Sequence, residues 1–167
     1  MEIKTRAEET NDIEQIRQVV RVAFPTDAES RLVDALRANG RAIISLVATL
    51  EERVLGHILL SPVSTAPPGE AKGLGLAPVA VHPNAQSRGM GSKLIQEGLH
   101  LCKERGYDYC LVLGDPNYYR RFGFEKASQF GIQNEYGVED EFMIIRFSDH
   151  EVVGLIQYSS EFALFAL

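Results

Sequence analysis

Apolar positions change their period several times along this chain. Ile13, Ile16, Val20, Ala23 and Phe24 recur at helical spacing; Thr10 or Asn11 can cap this helix, and Asn11 with Glu14 fits a capping box. Ile3 and Thr5 open a short strand before it, and Phe24-Pro25 ends the helix. A second helix starts at Thr26 or Asp27, carries Leu32, Val33 and Leu36, and closes at Asn39-Gly40. Two β-branched runs follow, Ile43 to Leu50 and Val54 to Val63, and Glu51-Glu52-Arg53 joins them as a hairpin. Ala66-Pro67-Pro68-Gly69-Glu70 reads as an exposed loop, and Gly73 to Val81 as a long strand stopped by His82-Pro83-Asn84.

From Gly89 to Arg105 the period is helical again, with Leu94, Ile95, Leu99, Leu101 and Cys102 on one broad face and Gly106 as C-cap. Tyr109 to Leu113 is a compact buried strand, and Asp115-Pro116 opens a short helix that Gly123 ends. Residues 127–140 read as irregular and polar; Phe142 to Phe147 and Leu155 to Tyr158 read as strands. The apolar tail Phe162 to Leu167 is expected to pack on the core or on a partner chain. Strands and helices in this order predict one α/β or α+β domain over residues 1–167 around a mixed sheet.

Composition narrows the function. The 167 residues suffice for one full core, and 45% apolar with 24% charged residues is ordinary for a globular chain. A net charge of −6 argues against a general nucleic-acid binder, which needs a basic surface. It leaves room for a local basic pocket holding one phosphorylated ligand. Cys102 and Cys110 are too few for a zinc motif or a disulfide framework, and read as core residues in a reducing compartment. The start Met1-Glu2-Ile3-Lys4 has no apolar run, and no stretch approaches a membrane span. A cytoplasmic protein without a bound metal is the expectation.

The segment from Val79 to Ser92 carries chemistry. A buried strand runs through a loop straight into a helix, whose first turn offers backbone N–H groups and a positive dipole end. Gly89 and Gly91 remove side chains that would block a close ligand. Arg88 adds a charge, and Ser87 and Ser92 add hydroxyls, giving an anion site suited to a pyrophosphate. The plain alternative is a glycine-bearing strand–helix turn. Nucleotide motifs do not fit: no Gly-Lys-Ser/Thr ending is present, and Leu94 stands at the third glycine position of Gly-x-Gly-x-x-Gly.

Gln86-x-x-Gly89-x-Gly91, after the strand Val79-Ala80-Val81, resembles the acetyl-CoA motif of the GNAT N-acetyltransferases. Asp115 to Phe124 resembles that family's Tyr-x-x-x-Gly-Phe element, and Leu113 to Phe124 is similar to a widespread bacterial branch of predicted acetyltransferases. The resemblance extends over nearly all of the chain. It implies a mixed sheet of about seven strands flanked by about four helices, with strand 73–81 splayed from strand 109–114. It further implies that the pantetheine arm pairs with Val79, Ala80 and Val81 like an added strand. The phosphates would then sit on Gln86, Ser87, Arg88, Gly89, Met90 and Gly91, with Ser92 and Asn117 also touching the cofactor.

Tyr119 stands at the position of the general acid in many GNAT enzymes, where a phenol can protonate the departing CoA thiolate. Alternatively it only hydrogen-bonds the sulfur or packs in the core, and Tyr118 reads as packing. The Val81 N–H is the implied oxyanion donor. Many relatives place a carboxylate base on the fourth strand; Gly73 to Val79 carries none. Asp115 is possible, though Asp before Pro commonly starts a turn. His82 and His57 are ambiguous; Arg120 or Arg121 could meet the adenosine phosphates, though both better suit a solvated face. The leading expectation is acetyl transfer from acetyl-CoA to a primary amine of a small molecule or peptide. A non-catalytic acyl-CoA sensor and a structural subunit dimerising through the tail are the rivals.

Overall fold

The computed structural model describes residues 2–165. In chain order they form β1 (Lys4–Ala7), α1 (Ile13–Ala23), α2 (Ala28–Ala38), β2 (Ile44–Leu50), β3 (Arg53–Ala66), β4 (Gly73–Val81), α3 (Met90–Glu104), β5 (Tyr109–Leu113) and α4 (Pro116–Tyr119). Then come β6 (Glu125–Lys126), β7 (Ile132–Asn134), β8 (Phe142–Arg146), β9 (Gly154–Tyr158) and α5 (Glu161–Leu164). The nine strands and five α-helices among the described residues exceed the seven and four expected, chiefly because short strands escape a periodicity reading. The region 127–140, expected to be irregular, holds a 3-10 turn at Ala127–Phe130 and the three-residue β7. Three residues are too few to show alternation.

The chain divides into two compact units. One takes the residues up to Leu60, Ala77–Gly98 and the segment from Ser160. Its strands are antiparallel: Lys4↔Thr49 to Ala7↔Leu46 joins β1 to β2, and Ile44↔Leu60 to Leu50↔Arg53 closes the hairpin of β2 and β3. Glu51 and Glu52 make that turn in the left-handed region. On β3, Gly56 meets Met90 and Leu94, while Gly98 of α3 meets Ile58 and Leu60, so even-numbered positions face α3. His57 points the other way. α1 buries Ile16, Val19 and Val20. Its start departs from expectation: a 3-10 turn at Thr10–Asp12 precedes it, and Asp12, held by Arg6 at 2.6 and 3.0 Å, accepts the Glu9 N–H, so the predicted Asn11–Glu14 box gives way. An ion-paired carboxylate already occupies that role.

α5 is fastened in the same unit. Glu161, 1% exposed, accepts from Asn39 Nδ2 at 2.7 Å and Arg41 Nη1 at 2.6 Å. Phe162 is buried and Arg31 lies over the Phe165 ring, but Leu164 is 77% exposed. The tail therefore packs in part, and Ala166 and Leu167 lie outside the described residues.

The second unit comprises Ser61–Leu76 and Leu99–Ser159. Here β4 pairs in parallel with β5 over three positions only, Gly73↔Tyr109 to Gly75↔Leu111, the short register that a splay of these strands requires. β8 lies antiparallel to β5 and β6, and β9 pairs antiparallel with β3 (Val63↔Tyr158) and parallel with β7. Close packing fixes the glycines of β4: a Cβ on Gly73 would stand 2.1 Å from the Tyr109 ring, and one on Gly75 2.7 Å from Tyr158. Asp108 anchors the start of β5 by accepting from Lys72 N (2.8 Å), Ser148 Oγ (2.6 Å) and His150 Nδ1 (2.9 Å).

Candidate active site

In the first unit, β4 ends in Val79, Ala80 and Val81, of which Ala80 is buried and its neighbours half-buried. The His82 N–H donates to the Leu55 carbonyl at 2.8 Å, fastening the strand's end to β3. A 3-10 turn at Pro83–Ala85 follows, and His82 Nδ1 accepts the Asn84 N–H at 3.1 Å. That bond gives His82 a turn-capping role. Gln86 Nε2 reaches back to the Val81 carbonyl at 3.4 Å. Ser87 (φ +66°) and Gly89 (φ +78°) then take left-handed conformations, which reverse the chain into α3.

The first hydrogen bond of α3 runs from Lys93 N to Gly89 O at 3.0 Å. The amides of Met90 and Gly91 precede it and so lack an acceptor within the helix. Gln86, Ser87, Arg88 and Gly89 are exposed, Gly91 and Ser92 are half-buried, and Met90 is buried as the anchor of the turn. No atom lies within 4 Å of a Cβ built on Gly89, so the surface there is open. Among the described residues Arg88 has no salt bridge, which leaves its charge to a ligand. Lys93 Nζ donates to the Ile3 carbonyl and ties the helix to the N-terminal segment. An open glycine, a helix start and a cation are chemically suited to a phosphorylated ligand.

In the second unit, Asp115 caps α4: its carboxylate accepts the Asn117 N–H at 2.9 Å, and its carbonyl accepts from Tyr118 N and Tyr119 N. Asp115 is thus a structural cap and exposed, as a residue before Pro commonly is. A 3-10 turn over Arg120–Phe122 continues α4, and Gly123 (φ +98°) ends it. The Tyr119 ring meets Phe124 edge-on at 5.7 Å and Tyr118 at 5.1 Å. Burial pushes its phenol up to about 12, and Tyr118 and Cys110 add to the shift. The group is therefore a proton donor at neutral pH, not a base. Tyr118 takes the packing role expected of it: Arg121 stacks over its ring at 4.7 Å and donates to its carbonyl at 3.0 Å. Asn117 is exposed beside them.

The remaining histidines have structural partners. His100 pairs with Glu104 on the exposed side of α3, and His150 with Asp108. His57 is fully buried, its Nε2 2.8 Å from Ser45 Oγ, which donates to Glu8 at 2.6 Å. Arg37 grips Glu8 with two bonds of 2.8 Å. Burial raises the Glu8 carboxyl, but the bonds from Arg37, His57 and Ser45 outweigh it and hold it far below the usual range. Burial lowers His57 despite the facing carboxylate. Residues so far apart in sequence gave no motif to find. No group of three His, Cys, Asp or Glu suited to a metal occurs among the described residues.

Comparison with known proteins converges on one family. Residues 4–127 match the acetyltransferase (GNAT) domain family. The uncharacterized N-acetyltransferase YhbS of Escherichia coli K12 is 36% identical over 166 residues, spanning 96% of this chain and 98% of that protein. The crystal structure of Escherichia coli YhbS in complex with CoA superposes with a TM-score of 0.91 at 34% identity, covering 96% of this chain and 92% of the other. A GNAT family acetyltransferase from Brucella melitensis, in complex with acetyl-CoA, gives a TM-score of 0.82 at 36% identity, covering 96% and 98%. The fold is the GNAT fold, and the chain belongs to the GNAT N-acetyltransferases, a family of acyl-transferring enzymes.

Proposed function

We propose that this protein transfers an acetyl group from acetyl-CoA to a primary amine, by direct attack in a ternary complex. The observation that carries the reading is the turn at Ser87 and Gly89, which opens the start of α3 beside an uncommitted Arg88. That two relatives were crystallised with CoA and acetyl-CoA supports it. In this reading the backbone of Val79, Ala80 and Val81 holds the pantetheine arm. Residues 86–92 hold the phosphates, and Asn117 adds a contact. The amine nitrogen bonds to the thioester carbon while the carbonyl oxygen takes negative charge, met by the Val81 N–H. The C–S bond then breaks, and the Tyr119 O–H protonates the departing sulfur. The amine attacks in its neutral form; the proton of the ammonium so formed leaves to water and water returns a proton to the Tyr119 phenolate, so no side-chain base is invoked. Residues 1–167 act as a single GNAT domain with no resident metal, and the free buried thiols of Cys102 and Cys110 suit a reducing cytoplasm. Nucleic acid and membrane have no part in this reading, and the apolar tail offers a route to a homodimer.

The test is acetyl transfer to a panel of small amines, peptides and amino sugars, corrected for thioester hydrolysis, with acetyl-CoA affinity measured by calorimetry. Turnover of any amine that Tyr119→Phe suppresses, with affinity retained, supports the enzyme. Tight acetyl-CoA binding with no acceptor acetylated across the panel favours a sensor instead.

A further inference from the structure

Gly114 follows β5, and its N–H donates to the Glu141 carbonyl at 2.9 Å. Its backbone lies outside the left-handed region, so an L-residue could adopt it without strain. Space is what forbids a side chain. A Cβ on Gly114 would stand 2.3 Å from Cε2, 2.8 Å from Cδ2 and 3.3 Å from Cζ of Tyr119. The ring also has aromatic neighbours. Phe124, 1% exposed, meets it edge-on at 5.7 Å, and Phe122 stands at 6.3 Å. Its backbone is held by the Tyr119 N to Asp115 O bond of 3.0 Å.

We propose that Gly114 is a positioning residue for acyl transfer: by lacking a side chain it seats the Tyr119 ring and so sets where the phenol O–H points. The inference rests on Tyr119 acting as the general acid. A methyl group at position 114 needs about 3.5–4.0 Å from the ring carbons, so the ring must swing and carry its oxygen with it. A displacement of that size in a positioned group costs about a hundredfold in rate. The cofactor turn at residues 86–92 is untouched, so the loss should fall on turnover rather than on acetyl-CoA affinity.

The experiment is a double-mutant cycle on the whole protein with Gly114→Ala, Tyr119→Phe and both together, reading kcat, KM for acetyl-CoA and calorimetric affinity. Gly114→Ala is expected to lower kcat about a hundredfold with KM nearly unchanged, and to add almost nothing once the phenol oxygen is gone. Parent-like turnover of Gly114→Ala, or losses that multiply in the double variant, would overturn the positioning role while leaving Tyr119 as acid. Full turnover of Tyr119→Phe would remove the general acid and this role with it. If Gly114→Ala does not fold, Gly114→Ala/Tyr119→Leu vacates the space and should fold as Tyr119→Leu does. Failure of that pair, where Tyr119→Leu alone folds, overturns the proposal, since the ring would not be what Gly114 accommodates.

Discussion

Met90, the first residue of α3, rests its thioether on Gly56 of β3: a Cβ there would stand 2.9 Å from Sδ and 3.1 Å from Cγ. The contact sets the height at which the helix leaves the sheet, and the turn at residues 86–89, which the proposed function assigns to the cofactor, is attached to that helix. Gly56→Val should therefore cost about 1–3 kcal/mol through overpacking and weaken acetyl-CoA binding as well. Gly56→Ala should do less, because a methionine side chain yields. Thermal melts and calorimetry on the pair decide it; unchanged affinity in a destabilised Gly56→Val would separate the helix seat from the cofactor turn.

Gly89 separates strain from crowding. Its φ is +78° and no atom stands within 4 Å of its would-be Cβ, so Gly89→Ala meets no clash and pays only for left-handed backbone. That penalty is about 1–2 kcal/mol. Relaxation of the turn should lower acetyl-CoA affinity by about tenfold, equivalent to 1.4 kcal/mol. Titration calorimetry reads the change directly, and parent affinity would mean that the turn's conformation does not matter for binding.

Tyr119 must keep its proton to act as an acid, and burial helps it do so. With the phenol pushed up to about 12, the acid form persists throughout the neutral and mildly alkaline range. The pH profile of kcat/KM should rise as the acceptor amine loses its proton and should not fall again until strongly alkaline pH. Tyr119→Phe should lower kcat about a hundredfold and leave the rising limb in place. A bell with its descending limb near pH 8 would assign the acid to another group.

The Glu8–Ser45–His57 cluster couples stability to pH. Both titratable members have lowered pKa values, so each binds fewer protons folded than unfolded, and stability rises with pH through their range. The His57 contribution is complete above its ordinary 6.5 and begins to be lost as pH falls below it; that of Glu8 follows below 4.5. Urea unfolding at a series of pH values should show a plateau above neutrality and a decline beneath it. His57→Gln should flatten the upper part of that decline, between pH 7 and 5. An unchanged slope there would show that the imidazole does not titrate on unfolding.

Legibility followed the distance over which each feature is encoded. α2, the hairpin of β2 and β3, and the Gly73–Val81 strand were readable because their signals are local: Asn39-Gly40, Glu51-Glu52 and His82-Pro83 punctuate them. The turn at Ser87 and Gly89 was readable in kind, though nothing marked Ser87, a residue with a side chain, as left-handed. β6 and β7 were not readable, since two and three residues are held by β8 and β9 rather than by their own pattern. The same applies to His57. Its neighbours Glu8, Ser45 and Arg37 come from three other elements or connections, and only folding assembles them.

The left-handed pair Ser87 and Gly89 also bears on the thermodynamics of ligand capture. A turn whose unusual conformation is stabilised by the buried Met90 and by the His82 to Leu55 bond has surrendered its entropy during folding, before any ligand arrives. In the proposed complex, association then has less disorder to remove, and more of the contact free energy with the CoA phosphates would survive as affinity. The heat released on binding should be governed by charge neutralisation at Arg88 and the helix start, and so should fade with added salt more than with temperature.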